Sequence, residues 1–242
     1  MSEMIVDAGK AIQETLARFD GIITQSDEEY TRIEQERTAR KHHEFITEQL
    51  TAIPKRFVDS VFDNFELSED SEVAAKQIKI IDALRSGGSV VLYGRNGTGK
   101  TRLAFAAMQY HIKQGKTTRY VISLELFDEI RQAFNDHGVS SIIEKYARFD
   151  YLIIDEVDKS YGSATEVINL FRIINERYNR LLPTIMITNA GRSDEVKDGV
   201  LIKGVINSIG RSTYERIVEG DGKAFEMDWE SYRRRKPGRT IC

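Results

Sequence analysis

Cysteine is nearly absent from this chain: the one such residue, Cys242, is the last of 242. No internal disulfide framework can form, which suits a reducing compartment. No Cys-x-x-Cys pair occurs, so no structural zinc site is expected. His42 and His43 are adjacent in a charged stretch. Ligands that share a metal on a helix sit about three or four residues apart, so solvated helix surface is expected there. Long apolar runs are also missing, and none approaches the roughly 18 residues of a membrane span. The N-terminus carries Glu3 and Asp7 without an apolar h-region, so no secretory leader is expected and the default location is the cytoplasm. Strong charge of one sign is lacking as well. The net charge is −3, so nucleic-acid binding would need a local basic patch. Proline occurs three times. Pro54 separates an N-terminal segment from the rest, Pro183 precedes a short apolar run, and Pro237 lies in the tail.

Apolar residues make up 40% of the chain and charged residues 30%, which allows a buried core and argues against wholesale disorder. The length suits one domain with a smaller appendage. Residues 1–53 form the appendage and 54–242 the main domain. In the first segment Ile5, Ile12, Leu16, Phe19 and Ile23 recur at helical spacing. Residues 27–44 are too polar to build a core, and a second small stripe follows at Ile46, Leu50 and Ile53. Either the stripes pack on each other or on the main domain, or the helical arm docks into a partner's groove.

From residue 57 the pattern alternates. Strands are expected at Ser89–Tyr93, Arg119–Ser123, Tyr151–Ile154, Thr184–Thr188 and Lys223–Trp229. Helices are expected at Lys100–Lys113, Leu124–Asn135, Ala164–Arg180 and Val200–Val218. Such alternation predicts an α/β fold, a parallel sheet between helices.

Gly94-Arg95-Asn96-Gly97-Thr98-Gly99-Lys100-Thr101 satisfies G-x-x-x-x-G-K-[ST] in full. Glycines let the backbone turn its amides toward phosphate oxygens, and the following helix adds its positive N-terminal end. Lys100 would reach the β- and γ-phosphates of ATP, and the Thr101 hydroxyl would ligate magnesium. Downstream, Tyr151–Ile154 is a fully apolar strand that delivers Asp155 and Glu156 at its carboxyl end. Asp155 suits the magnesium ion and Glu156 the attacking water. Thr184–Thr188 ends in Asn189, which would orient that water. Ligands of open parallel sheets sit at the strands' carboxyl edge, so these groups are expected on one edge. Arg211 and Arg216 fall about 140° apart on a helix. One would face the chain's own nucleotide, and the other would reach a neighbour's. In the tail, Arg233, Arg234 and Arg235 follow Trp229 and Tyr232, a combination suited to a nucleic-acid backbone or to a solvated end.

These features resemble the DnaC/DnaI-type helicase loaders, a branch of the AAA+ ATPases that also includes the IstB transposition ATPases. The resemblance covers about residues 50–242. It rests on Phe62-Asp63-Asn64-Phe65, the loop Gly94–Thr101, Ile154-Asp155-Glu156, Thr188-Asn189 and Trp229-Glu230-Ser231-Tyr232-Arg233. It implies an AAA+ P-loop ATPase domain with a five-stranded parallel sheet and a small helical N-terminal arm. It also implies docking of the arm on a hexameric replicative helicase, self-association with ATP, and delivery of the helicase onto single-stranded DNA. Phe134, Tyr161 and Ser163 fall where family members contact DNA, although Phe134 also suits core packing. The chain departs from the family in two places. The zinc-binding cysteine cluster of some members is missing. The expected arginine finger falls on Ser212, with Arg211 beside it, whereas Arg216 fits the sensor-2 position. A transposase partner and a P-loop small-molecule kinase are the competing readings, and the kinase has less use for an Asp-Glu pair with a sensor Asn.

Overall fold

The structure, a computed structural model, describes residues 2–134, 138–159, 163–197 and 199–232. The chain divides into two units, Met1–Glu48 and Gln49–Cys242. The first is made of one helix, α1 (Ser2–Thr51), which runs without a break for 50 residues and has its last three residues, 49–51, in the second unit. At about 1.5 Å per residue, its two apolar stripes stand apart along one rod. The expectation that they pack on each other is therefore corrected, because packing would need a turn, whereas the helix is unbroken between Ile23 and Ile46, where no glycine or proline occurs. Leu16, Tyr30 and Ile33 are exposed. Arg32 pairs with Glu36 and Arg40 with Glu44 at i,i+4 spacing, which supports the helix by a few tenths of a kcal/mol per pair, about 0.2–0.5. His42 and His43 lie exposed on the same helix.

In the second unit a 3₁₀ turn at Lys55–Phe57 leads to α2 (Ser71–Arg85). Asp70 caps α2 by accepting hydrogen bonds from the Glu72 and Val73 amides, at 2.9 and 3.1 Å, which satisfies two of its orphan donors. Then come β1 (Val90–Gly94), α3 (Lys100–Lys113), β2 (Thr118–Ile122), α4 (Ser123–Ala133), α5 (Val139–Ala147), β3 (Tyr151–Asp155), α6 (Ala164–Asn179) and β4 (Thr184–Ile187). A small hairpin, β5 (Glu195–Lys197) with β6 (Val200–Ile202), precedes α7 (Val205–Ile209), α8 (Arg211–Val218) and β7 (Lys223–Met227). The main sheet has the order β2-β3-β4-β1-β7, and all of its pairs are parallel.

Each central strand is buried on both faces, as its unbroken apolar run requires. Val91, Leu152, Ile154 and Met186 point into a core shared with Leu126, Ile130, Tyr146, Leu170, Ile173 and Ile217 of the surrounding helices. The alternate residues Leu92, Ile153, Ile185 and Ile187 are buried on the opposite side, where α3 packs on β2, β3 and β4 and α2 packs on α3.

The expected helix over Val200–Val218 is corrected. Its first residues form β6, and the rest is two helices divided at Gly210, whose φ of 89° no helix accommodates. The hairpin closes where Gly204 passes Ser193 so tightly that a Cβ would lie 2.5 Å from the Ser193 carbonyl carbon. Asp194 locks that crossing by accepting from the Gly204 amide and from Asn207 Nδ2, both at 2.7 Å.

Beneath the sheet lies an unusual cation. Arg177 on α6 is fully buried. It donates to Thr184 Oγ1 at 2.9 Å and to the carbonyls of Tyr146, Phe149 and Pro183 at 3.1, 2.7 and 2.5 Å. Burial pushes the guanidinium down to about 9, so it is still charged at neutral pH.

Candidate nucleotide-binding site

β1 ends at Gly94, and α3 begins at Lys100 directly behind the loop between them. Gly94 has φ 110°, and a Cβ there would lie 2.7 Å from Met227 O of β7. Only glycine fits this close approach. Gly99, the N-cap of α3, has φ 97° and faces the Phe65 ring. The loop is braced from behind. Arg95 N donates to Met227 O at 3.1 Å, and Gly94 N donates to Ala190 O at 3.0 Å. Trp229 Nε1 donates to Thr98 O at 3.1 Å, and Tyr232 N donates to Gly97 O at 3.0 Å. The Tyr232 hydroxyl donates to Glu66 O at 2.9 Å and accepts from Gln77 Nε2 at 2.7 Å. With these carbonyls engaged from behind, the loop is left to present its amides at the crown, where Arg95 and Asn96 have exposed side chains.

Lys100 is buried. Its ammonium donates to Gly94 O at 2.8 Å and Arg95 O at 2.7 Å, which curls it under the loop. Thr101 Oγ1 donates to Asp155 Oδ2 at 2.8 Å, joining the loop to the end of β3. The same carboxylate oxygen accepts from Tyr120 OH at 3.0 Å, and Oδ1 accepts from the Glu156 amide at 2.7 Å. Burial raises the Asp155 pKa, while the Thr101, Glu156 and Tyr120 donors and the Lys100 charge oppose the rise. A hydroxyl and a carboxylate oxygen in contact on one edge fit a hard, oxygen-seeking cation such as magnesium. Glu156 is exposed and sits at φ 55°, a region that non-glycine residues rarely adopt. Ser123 Oγ holds the Glu156 carbonyl at 2.8 Å, so this backbone turn is fixed from α4.

Asn189 follows β4 on the same edge. Its amide donates to Asp158 Oδ1 at 2.8 Å, and the Thr188 hydroxyl donates to that oxygen at 2.9 Å. Asp158 thus ties the turn after β3 to the turn after β4. Sequence reasoning missed Asp158, Tyr120, Trp229 and Tyr232 as supports of the loop and carboxylates. The signal available for the last two was the Trp-Glu-Ser-Tyr group itself.

The arginines are engaged elsewhere. Arg211 pairs with Glu215 at 3.8 Å. Arg216 lies over the Tyr178 ring at 4.5 Å and pairs with Glu219 at 3.4 Å. Phe134 does not pack in the core as one expectation had it; it is 47% exposed at the end of α4. It lines a cavity of about 290 Å³ together with Ser163, Arg131 and Glu166. Ser163 caps α6 in a reciprocal pair with Glu166, at 3.2 and 3.3 Å. Tyr161, Arg233, Arg234 and Arg235 lie outside the described residues.

Comparison with known proteins adds the family. The profile of the IstB-like ATP-binding proteins matches residues 17–236. The chain belongs to that family. Relatives within reach of IstB-like sequences include the replicative helicase loader DnaC of Buchnera aphidicola from Schizaphis graminum, 25% identical over 196 residues, 76% of this chain and 73% of the loader. The DnaC of Escherichia coli K12 is 25% identical over 153 residues, 62% of this chain and 58% of its own. A Mycobacterium tuberculosis protein named for ATP binding in an insertion sequence is 24% identical over 212 residues, covering 86% of this chain and 82% of its own. Among solved structures, the DnaC helicase loader has a TM-score of 0.56 at 18% identity, covering 72% of this chain and 99% of its own. The replication initiator DnaA bound to AMPPCP and single-stranded DNA has 0.55 at 21%, covering 74% and 52%. These likenesses show the fold: this IstB-like chain shares the α/β architecture of those structures, with the loop Gly94–Thr101 between β1 and α3.

Proposed function

We propose that this IstB-like protein is an ATP-dependent loader, which binds a hexameric replicative helicase and delivers it onto single-stranded DNA with ATP hydrolysis as the switch. The observation that carries the enzymatic half is the contact between Thr101 and Asp155, which brings the loop Gly94–Thr101 and the strand end Asp155-Glu156 to one place. In this reading the loop amides and Lys100 bind the phosphates, Thr101 and Asp155 hold magnesium, Glu156 draws a proton from the attacking water, and Asn189 orients that water. Magnesium, when bound, neutralises charge on the phosphate oxygens. Arg211 and Arg216 serve assembled copies, one of them toward a neighbour's nucleotide, which makes self-association with ATP part of the cycle. Residues 1–53 are the arm that docks on the helicase. Phe134, Tyr161 and Ser163, with Arg233, Arg234 and Arg235, contact single-stranded DNA. What supports the loader reading is that relatives along most of the chain are named replicative helicase loaders. The insertion-sequence relative supports a second reading, in which the same ATPase serves a transposase.

The test is capture of partners from host extract with Glu156→Gln, which should hold ATP without turning it over. Recovery of a hexameric helicase, lost when residues 1–53 are deleted, is the expected result. Recovery of a transposase would replace the loader reading. Normal hydrolysis by Glu156→Gln would overturn the assignment of the site.

A further inference from the structure

A line of aromatic rings runs from the segment after α1 to the Asp155 carboxylate. Phe57, in the 3₁₀ turn, stacks on Phe105 with centroids 4.3 Å apart and planes at 15°. Phe105, buried in α3, meets Tyr120 of β2 at 4.5 Å and 31°. Tyr120 ends the line by donating its hydroxyl to Asp155 Oδ2 at 3.0 Å. The outer end of the line is fastened separately. Gln109 Nε2 lies 3.0, 3.1 and 2.9 Å from the carbonyls of Phe57, Val58 and Ser60. Gln109 and Phe105 both belong to α3, the helix whose first turn carries Lys100 and Thr101.

We propose that Tyr120 is the positioning residue for the Asp155 carboxylate, and that Phe57 buttresses it from outside through Phe105. The inference rests on the reading of Asp155 as the magnesium carboxylate. A carboxylate at the end of a strand rotates about its last bond unless both oxygens are held. Here Oδ1 is held by the Glu156 amide, and Oδ2 by Thr101 and Tyr120. Thr101 is itself assigned to the metal and cannot serve as an independent anchor once it turns toward it. Tyr120 is the side-chain donor that stays behind, and its ring packs against Phe105 in a tilted pair. The segment that carries Phe57 is thereby linked to the Asp155 carboxylate through three rings.

The test uses the full chain, a fluorescent ATP analogue and a magnesium titration. Tyr120→Phe keeps the ring and removes one hydroxyl. Loss of an outer-shell partner typically lowers metal affinity by about 10- to 100-fold. The magnesium concentration for half-maximal nucleotide binding should rise by about tenfold, the low end, since the Glu156 amide still holds Oδ1. Nucleotide affinity in EDTA should not change. Phe57→Ala should move the half-saturation in the same direction by less, and Phe57→Leu should restore part of it. A purely structural role would lower the melting temperature of Phe57→Ala and leave every magnesium half-saturation where it was. An unchanged half-saturation in Tyr120→Phe, with the unmodified protein still magnesium-dependent, overturns this inference alone. Nucleotide binding by the unmodified protein that ignores magnesium overturns it together with the role of Asp155.

Discussion

Replacing Arg177 with Met keeps most of the side chain's volume and removes its donors. The guanidinium satisfies four acceptors. Phe149 O and Pro183 O belong to half-buried residues and will find water. Tyr146 O and Thr184 Oγ1 belong to fully or almost fully buried residues. Each buried polar atom left without a partner costs about 1–3 kcal/mol, so the two together cost roughly 2–6 kcal/mol. Against this stands the relief of a buried cation, whose cost shows in its depression to about 9. Because that relief offsets much of the loss, the net is expected no higher than the low end of that range, about 2 kcal/mol. For a domain of this size each kcal/mol moves the melting point by about 2–4 °C. A drop of roughly 4–8 °C should follow, read by circular dichroism or calorimetry. Arg177→Lys, a single point charge that cannot span four acceptors, should fall between. The second half of the expectation is a null effect. Arg177 meets the start of β4, whereas Asn189 and Lys100 lie at the other edge, so nucleotide affinity well below the melting point should not move. A loss under about 1 kcal/mol would mean that desolvation cancels the hydrogen bonds and would refute the balance. Weakened nucleotide binding at full stability would refute the separation of the two edges.

Lys100→Ala should abolish nucleotide binding or turnover, and retention of both in a filter-binding and phosphate-release assay would remove Lys100 from the site. Trp229→Phe keeps the buried ring and strands Thr98 O; nucleotide dissociation constants should rise by roughly 2- to 10-fold, the worth of one hydrogen bond, in a fluorescence titration. His111 is buried, stacks on Tyr151 at 4.2 Å and places Nε2 2.9 Å from Leu84 O. Burial lowers its pKa from 6.5, so the unfolded chain takes up the proton first and stability falls as pH drops below about 6.5. Urea midpoints at pH 7.5 and 5.5 should differ less in His111→Gln than in the unmodified protein; equal differences would dismiss the histidine as the source.

What could be read from the sequence was whatever is encoded locally. The phosphate loop is contiguous, and its glycines announce the backbone that they adopt. The apolar strand ending in Asp155-Glu156 is contiguous too, and together they place the sheet's active edge. The hairpin β5–β6 escaped because three-residue strands carry too little alternation to outvote the helix-like pattern of Val200–Val218. The nine-residue α5 escaped for the same reason of length. Tyr120, Asp158 and Trp229 escaped because their roles are contacts across 35, 31 and 131 residues, and no local pattern records the partner. The arginines show the reverse case. Arg211 and Arg216 are conspicuous in sequence, yet among the described residues their contacts are with Glu215, Glu219 and Tyr178, away from the loop and Asp155.

The bracing of the phosphate loop from Met227, Trp229 and Tyr232 has a consequence for how the protein is made. Synthesis is vectorial, and domains begin to fold as they emerge. The loop itself leaves the ribosome early, but Trp229 follows Thr98 by 131 residues. Until that stretch arrives, β1 lacks its outer strand and the loop lacks its rear supports. The loop can therefore take its braced form only after Trp229 and Tyr232 have emerged, so that form marks closure of the unit as far as Tyr232.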